Sequence, residues 1–137
     1  MKIIVCLDDE NGMLFYKRRQ SSDAELCKRI IEKAENRPIF MNNYSSKLFD
    51  GGNIIVDDNF LNVAQKGDYC FVENTDIMPN FEKTEQIIIY RWNRKYPSDV
   101  KFSINLLEKF KLISSENFKG NSHPEITEEI YGLWKIK

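Results

Sequence analysis

The sequence predicts a single α/β domain: a mixed sheet with flanking helices. Three observations predict it. Short apolar runs rich in β-branched residues recur along the chain, first at residues 2–7 and most strongly at 85–92. An amphipathic helical segment separates the first run from the second, at 38–41. The chain has 137 residues, 42% hydrophobic and 30% charged, which is the size and composition of one globular domain, residues 1–137. A chain of that size buries roughly two-thirds of its unfolded surface and needs no covalent staple.

Residues 2–7 read as a strand buried on both faces. Asp8-Asp9-Glu10-Asn11-Gly12 ends it, because Asn and Gly both tolerate positive φ. A basic loop follows at Lys17-Arg18-Arg19-Gln20. Ser22-Asp23-Ala24-Glu25 reads as a capping box, with the Ser22 hydroxyl accepting from the amide of Glu25. The helix that starts there puts Leu26, Cys27, Ile30, Ile31 and Ala34 on one face. Lys28, Arg29, Glu32 and Lys33 fall on the other. Pro38 stops it by disfavouring helix at the residue before. Residues 38–41 form the second strand, Asn42-Asn43 turns, and 44–49 allow a short helix. Asp50-Gly51-Gly52-Asn53 is a turn, and 54–56 a short strand. Asp57, Asp58 and Asn59 cap a short helix over 60–65, closed by Gly67, before a strand at 68–73.

Residues 74–84, with Pro79, read as irregular. In the run at 85–92, Ile87 and Ile89 alternate with Ile88 and Tyr90, so both faces are apolar and a central position is expected. Pro97 breaks the next segment. Residues 100–103 read as an edge piece, and 110–113 as a strand in preference to the end of a helix begun at Asn105. Residues 114–121 read as a polar loop, and 125–134 as a final, half-exposed strand. The sheet is expected to be mainly parallel in its first half, with 3–7 and 87–90 as interior strands.

The net charge of −1 argues against nucleic acid as a partner. No run approaches membrane-spanning length, and the first apolar run is too short for a signal peptide. The expectation is a cytoplasmic protein with no membrane partner. Cys6, Cys27 and Cys70 lie far apart with no CxxC, and read as reduced, buried thiols. His123 is the only histidine and precedes Pro124 in the polar loop. It is expected at the surface and cannot build a multi-histidine metal site. Asp8, Asp9 and Glu10 read as turn acids. There is no P-loop, GxGxxG, GxSxG or HExxH. No cofactor, no metal and no catalytic constellation are expected on this basis.

The order of these pieces resembles dihydrofolate reductase. Ile3 to Gly12 looks like that family's first strand and Asn-Gly turn. Asp23-Ala-Glu-Leu running into a Lys-Arg helix is similar to its Asp-Leu-x-x-Phe-Lys-Arg helix. Arg37-Pro-Ile-Phe-Met41 resembles its Lys-Pro-Val-Ile-Met strand, and Asn53-Ile-Ile-Val56 its next strand. The resemblance implies a dihydrofolate reductase-like fold, and makes Asp23 the match for the family's substrate-binding acid. It also implies where the dinucleotide would lie, and there the sequence departs. The Leu-Pro-Trp of the first loop is absent, with Phe15-Tyr16-Lys17 near its place. Asn42-Asn43 replaces a phosphate-holding Gly-Arg. A Gly-Gly that lets backbone approach the dinucleotide falls near Glu73-Asn74. The expectation is a binding module of reductase-like fold without a working dinucleotide site, taking a polar small ligand or a protein partner. The alternatives are a divergent NADPH-dependent reductase of pterin-like substrates and a small regulatory or inhibitor protein from a mobile element.

In open α/β sheets ligands collect beyond the carboxyl ends of parallel strands. The first strand ends near Asp8, the second near Met41, and the first helix starts between them. A pocket is therefore expected between the 11–20 loop, the helix start and residues 42–49, gathering Arg18, Arg19, Asp23, Asn42, Asn43 and Tyr44. Two cations, an acid, two amides and a phenol suit a planar, anionic ligand or a charged partner loop. The simpler reading of Asp23 is structural, since an acid in the first turn favours the helix dipole. The simpler reading of the arginines is a solvated loop.

Overall fold

A computed structural model describes residues 1–134. The chain runs β1 (Lys2–Leu7), β2 (Gly12–Phe15), β3 (Arg18–Arg19), α1 (Ala24–Ala34), β4 (Ile39–Met41), α2 (Asn43–Ser46) and β5 (Ile54–Val56). It continues through α3 (Phe60–Val63), β6 (Tyr69–Phe71), a 3₁₀ helix (Met78–Lys83), β7 (Gln86–Arg91) and β8 (Val100–Lys101). A second 3₁₀ helix (Ile104–Lys109), β9 (Phe110–Phe118) and β10 (Ile126–Leu133) complete it.

Seven strands form the main sheet in the order β5-β4-β6-β1-β7-β10-β9. The first five are mutually parallel; β10 runs antiparallel to β7, and β9 to β10. The strand alternation of side chains divides the core between the two faces. Ile3, Val5, Leu7, Ile87 and Ile89 face one side with Phe60, Val72 and Phe102. Ile4, Ile88, Tyr90 and Trp92 face the other, under Leu26 and Ile30 of α1. Both predicted interior strands are interior, and Ile87 to Tyr90 are fully buried. The parallel first half follows from the α1 and α2–α3 crossovers, which return the chain to the same end of the sheet.

Four local expectations are corrected. The basic stretch is not a loop: β2 and β3 form a tight hairpin, and β8 pairs with β2 to make a small second sheet. The N-cap of α1 is Asp23 rather than Ser22, its carboxylate accepting from the amides of Glu25 at 2.9 Å and Leu26 at 3.2 Å. The supposed polar loop after Ile113 continues as strand to Phe118, because its partner β10 supplies the pairing and the edge position asks no apolar side chains of it. In β10 burial still alternates from Ile126 to Glu129, but an inward position holds a charged residue, Glu128, with Arg29 at 3.0 Å, Lys33 at 3.4 Å and the Tyr90 hydroxyl at 2.7 Å around it. All three cysteines are free; Cys27 and Cys70 are buried and Cys6 half-buried. Burial pushes the Cys27 thiol up to about 11 and the Cys70 thiol up to about 12.

Candidate functional site

The first strand ends in a turn organised by a buried carboxylate. Asp8 Oδ1 accepts from the amides of Glu10 at 2.9 Å and Gly12 at 2.7 Å. Its Oδ2 accepts from Gln20 Nε2 and the amide of Tyr96, both at 3.1 Å. Burial alone would raise its pKa; the donors outweigh burial and hold it below the usual value. Asp8 is thus a structural brace that fixes the hairpin and the 96–97 segment around one strand end. Gly12 is needed there for space, since a Cβ would meet Gln20 Nε2 at 2.6 Å and Ser98 Cβ at 2.7 Å.

Asp23 is buried and saturated. Besides the cap contacts, its Oδ1 accepts from the amide of Asn121 at 2.9 Å. Oδ2 accepts from the Ser122 amide at 2.9 Å, from Ser122 Oγ at 3.2 Å and from His123 Nδ1 at 2.9 Å. Burial opposes ionisation, but the Asn121 amide, His123 and the Ser122 and Leu26 amides together hold the carboxyl far below the ordinary range. The expectation that His123 is a surface residue is wrong: it is 4% exposed. The 120–123 turn folds inward onto α1, and Trp92 stacks on the imidazole with ring centroids 4.6 Å apart. The signal for this was weak. Small polar residues before Pro124 mark a turn, but nothing local links it to an acid one hundred positions earlier.

Arg19 and Tyr44 are brought together as expected. The Arg19 guanidinium lies 4.3 Å from the centroid of the Tyr44 ring, and the Arg19 amide donates to the Tyr44 hydroxyl at 3.1 Å. Arg19 also forks onto Glu73, with Nε–Oε2 at 2.8 Å and Nη2–Oε1 at 3.0 Å. The Ser45 hydroxyl donates to the same carboxylate at 2.7 Å. Asn42 caps α2 through the Ser45 amide at 2.9 Å and donates to Asn74 Oδ1 at 2.7 Å. Asn43 lies further out, its amide on Asp58 at 3.0 Å. Asp23 turns away from this group toward the 121–123 turn, and Arg18 is exposed at the groove that Arg19 also lines.

Three spaces surround these residues. Below α1, the space lined by Cys6, Asp23, Leu26, Cys27, Ile30, Phe71 and Trp92 is only about 10 Å³, the scale of one water molecule. A groove of about 460 Å³ runs between the hairpin and the 96–97 segment, lined by Phe15, Tyr16, Arg18, Arg19, Gln20, Tyr96 and Pro97. A third space of about 340 Å³ opens between the 73–77 segment and the 100–106 segment, over Met13, Ile77, Phe102 and Leu106. Among the described residues no group of three or more His, Cys, Asp or Glu is arranged to hold a metal ion, and no helix is long and apolar enough to cross a membrane.

The fold is that of the dihydrofolate reductases. Among solved structures, dihydrofolate reductase from Enterococcus faecalis, complexed with NADP(H) and RAB-propyl, matches over 98% of this chain and 96% of that chain, with a TM-score of 0.67 and 7% sequence identity. No family model matches the sequence, and neither does any curated protein. The chain therefore has a dihydrofolate reductase-like architecture carried by a strongly divergent sequence.

Proposed function

We propose that this protein is a small binding module of reductase-like fold that works without a dinucleotide, and that its ligand is a planar, anionic small molecule seated in the groove beside the hairpin. The observation that carries the first half is the polar bridge across the ends of β4 and β6. Where the family resemblance puts glycines open to a dinucleotide, the side chains of Glu73 and Asn74 are tied to Arg19, Ser45 and Asn42. Opening a route there means breaking a charge-assisted pair and leaving the Glu73 carboxylate, 9% exposed, without its cation. The space below α1, about 10 Å³, is far too small for a pterin ring.

The groove supports the second half. Its volume falls in the range of ordinary small-molecule sites. Phe15, Tyr16 and Tyr96 line it, and Arg18 is exposed with no ion pair among the described residues. A guanidinium beside aromatic side chains suits a flat ring bearing a carboxylate or phosphate.

Thermal melting tests both halves. A ligand at a hundred times its Kd stabilises the protein by about 2.7 kcal/mol. Millimolar NADPH is expected to leave the melting temperature unchanged; a clear rise would restore the reductase reading. A panel of planar aromatic carboxylates and phosphates is expected to contain members that raise it, with the rise lost in Arg18→Ala. Binding that survives Arg18→Ala would take the ligand out of this groove.

A further inference from the structure

Ser21, His123 and Asp23 form one hydrogen-bonded line. Asp23 Oδ2 lies 2.9 Å from His123 Nδ1, and His123 Nε2 lies 2.9 Å from Ser21 Oγ. The carboxylate fixes the tautomer. With Nδ1–H directed at Asp23, the neutral imidazole presents its lone pair at Nε2, and the Ser21 hydroxyl donates to it. The ring is locked by its stack on Trp92. Ser21 is partly exposed as a residue, whereas the histidine and the acid are enclosed. Ser21 itself lines two small spaces of about 10 Å³ each, next to the groove of about 460 Å³ that is lined by its chain neighbour Gln20 and by Tyr96, whose hydroxyl lies 3.2 Å from the same Nε2.

We propose that Ser21 is a nucleophile activated by His123, with Asp23 as the positioning residue, and that it takes acyl groups from small carboxylic esters entering along the groove. The geometry has the roles of nucleophile, general base and orienting acid in sequence. The turn has other anchors. The 120–123 turn is already held on Asp23 by the amides of Asn121 and Ser122. The enclosed Nε2 needs a donor, but the Tyr96 hydroxyl at 3.2 Å can supply one without Ser21.

The steps balance without a co-reactant other than water. Ser21 Oγ bonds to the ester carbonyl carbon while its proton passes to His123 Nε2. The carbon–alkoxy bond then breaks, and the leaving alcohol takes that proton. Water attacks the acyl-serine, giving its proton to Nε2. Ser21 leaves carrying it, and a carboxylic acid is released. The amides of Glu25 and Leu26 are already bound to Asp23, so they do not serve a developing oxyanion. Turnover is therefore slow, and capture by a strongly activated electrophile is the sensitive readout.

The test uses the full chain and a fluorophosphonate, whose P–F bond breaks as Ser21 Oγ bonds to phosphorus, fluoride leaving and the proton passing to Nε2. The expected result is one adduct per chain, mapped to Ser21 by peptide mass. It should be absent in Ser21→Ala, slower by about a hundredfold in His123→Gln, and retained in Tyr96→Phe. Should His123→Gln fail to fold, Ser21→Cys supplies a second measurement. The introduced thiol, beside the imidazole, should be alkylated by iodoacetamide near neutral pH about tenfold faster than a free thiol. The native Cys27 and Cys70 should stay slow. No adduct on Ser21, or an adduct formed at full rate in folded His123→Gln, overturns the proposal; so does ordinary reactivity of the introduced thiol. Only the choice of substrate rests on the groove as a ligand site. That reading fails separately, through the melting experiment with Arg18→Ala, and labelling of Ser21 does not depend on it.

Discussion

Arg18 and Arg19 are neighbours in sequence with opposite surroundings. Both line the groove, but Arg18 is exposed and makes no ion pair among the described residues. Arg19 reaches inward to stack on Tyr44 and fork onto Glu73, a carboxylate that also accepts from Ser45. Arg18→Ala is expected to shift stability by no more than about 0.5 kcal/mol, as exposed charges do. Arg19→Ala strands a largely enclosed carboxylate and should cost about 2 kcal/mol, less than a fully buried pair because the guanidinium keeps some contact with solvent. Urea unfolding of the two single variants checks this; equal midpoints would mean that the Arg19–Glu73 pair contributes nothing. The sequence offers no way to tell the two arginines apart, since a two-residue strand carries no periodicity. The same limit hid His123. Asp23 was legible as an acid at a helix start, because capping is a local property. That its other oxygen would hold a turn from the far end of the chain depends on tertiary approach, which no spacing encodes.

The hairpin element holds an unusual turn. Tyr16 and Lys17 have φ of 51° and 62°, the left-handed pair that a two-residue hairpin demands and that Asn-Gly usually supplies. Side chains with a Cβ sit there at a cost of order 1 kcal/mol each. The turn is sustained by its surroundings, including the Tyr16 amide on Asp99 at 3.2 Å. Lys17 is exposed. Lys17→Gly should therefore stabilise the protein by about 0.5 kcal/mol, the relief of φ exceeding the added freedom of the unfolded chain. A melting temperature raised by about 2 °C is the expected reading. A fall would mean that the lysine side chain is itself a contact of the hairpin. This strained turn is why the segment resisted prediction. Its residues lack the turn composition that marks Asn11-Gly12, and the strand that completes its small sheet, β8, comes from the other side of β7 in the chain. The elements that were legible, β1, β7 and α1, are those whose apolar pattern is enforced by burial. β9 was read short because its Ser114, Ser115, Glu116 and Asn117 belong to an exposed edge, where backbone pairing with β10 holds the strand and the side chains are free to be polar.

At the scale of the whole molecule, two apolar layers share one sheet; β1, β4, β6 and β7 all serve both, and β1 and β7 are the central pair. Ile3, Val5, Leu7, Ile87 and Ile89 serve one layer, and Ile4, Ile88 and Tyr90 the other. Opening either strand exposes both layers at once, so their amides can exchange only when the whole fold is lost. The second sheet is different. Its outer strands, β3 and β8, are two residues long, and much of their surface meets solvent. It can open while the main sheet stays closed, which is also what a groove or a reacting serine beside the hairpin would use. Native-state hydrogen exchange should separate the two. The amides of Val5 and Ile89 should show the highest protection, with rates that climb steeply in low concentrations of urea. The amides paired between β2 and β3 should exchange sooner, at rates nearly indifferent to the same urea, because little surface is exposed when a hairpin frays. If Val5 and Ile89 exchanged by a urea-insensitive route, β1 and β7 would not be the common core. If the hairpin amides shared their protection and their urea dependence, the small sheet would be part of one cooperative unit, and the groove beside it a rigid wall.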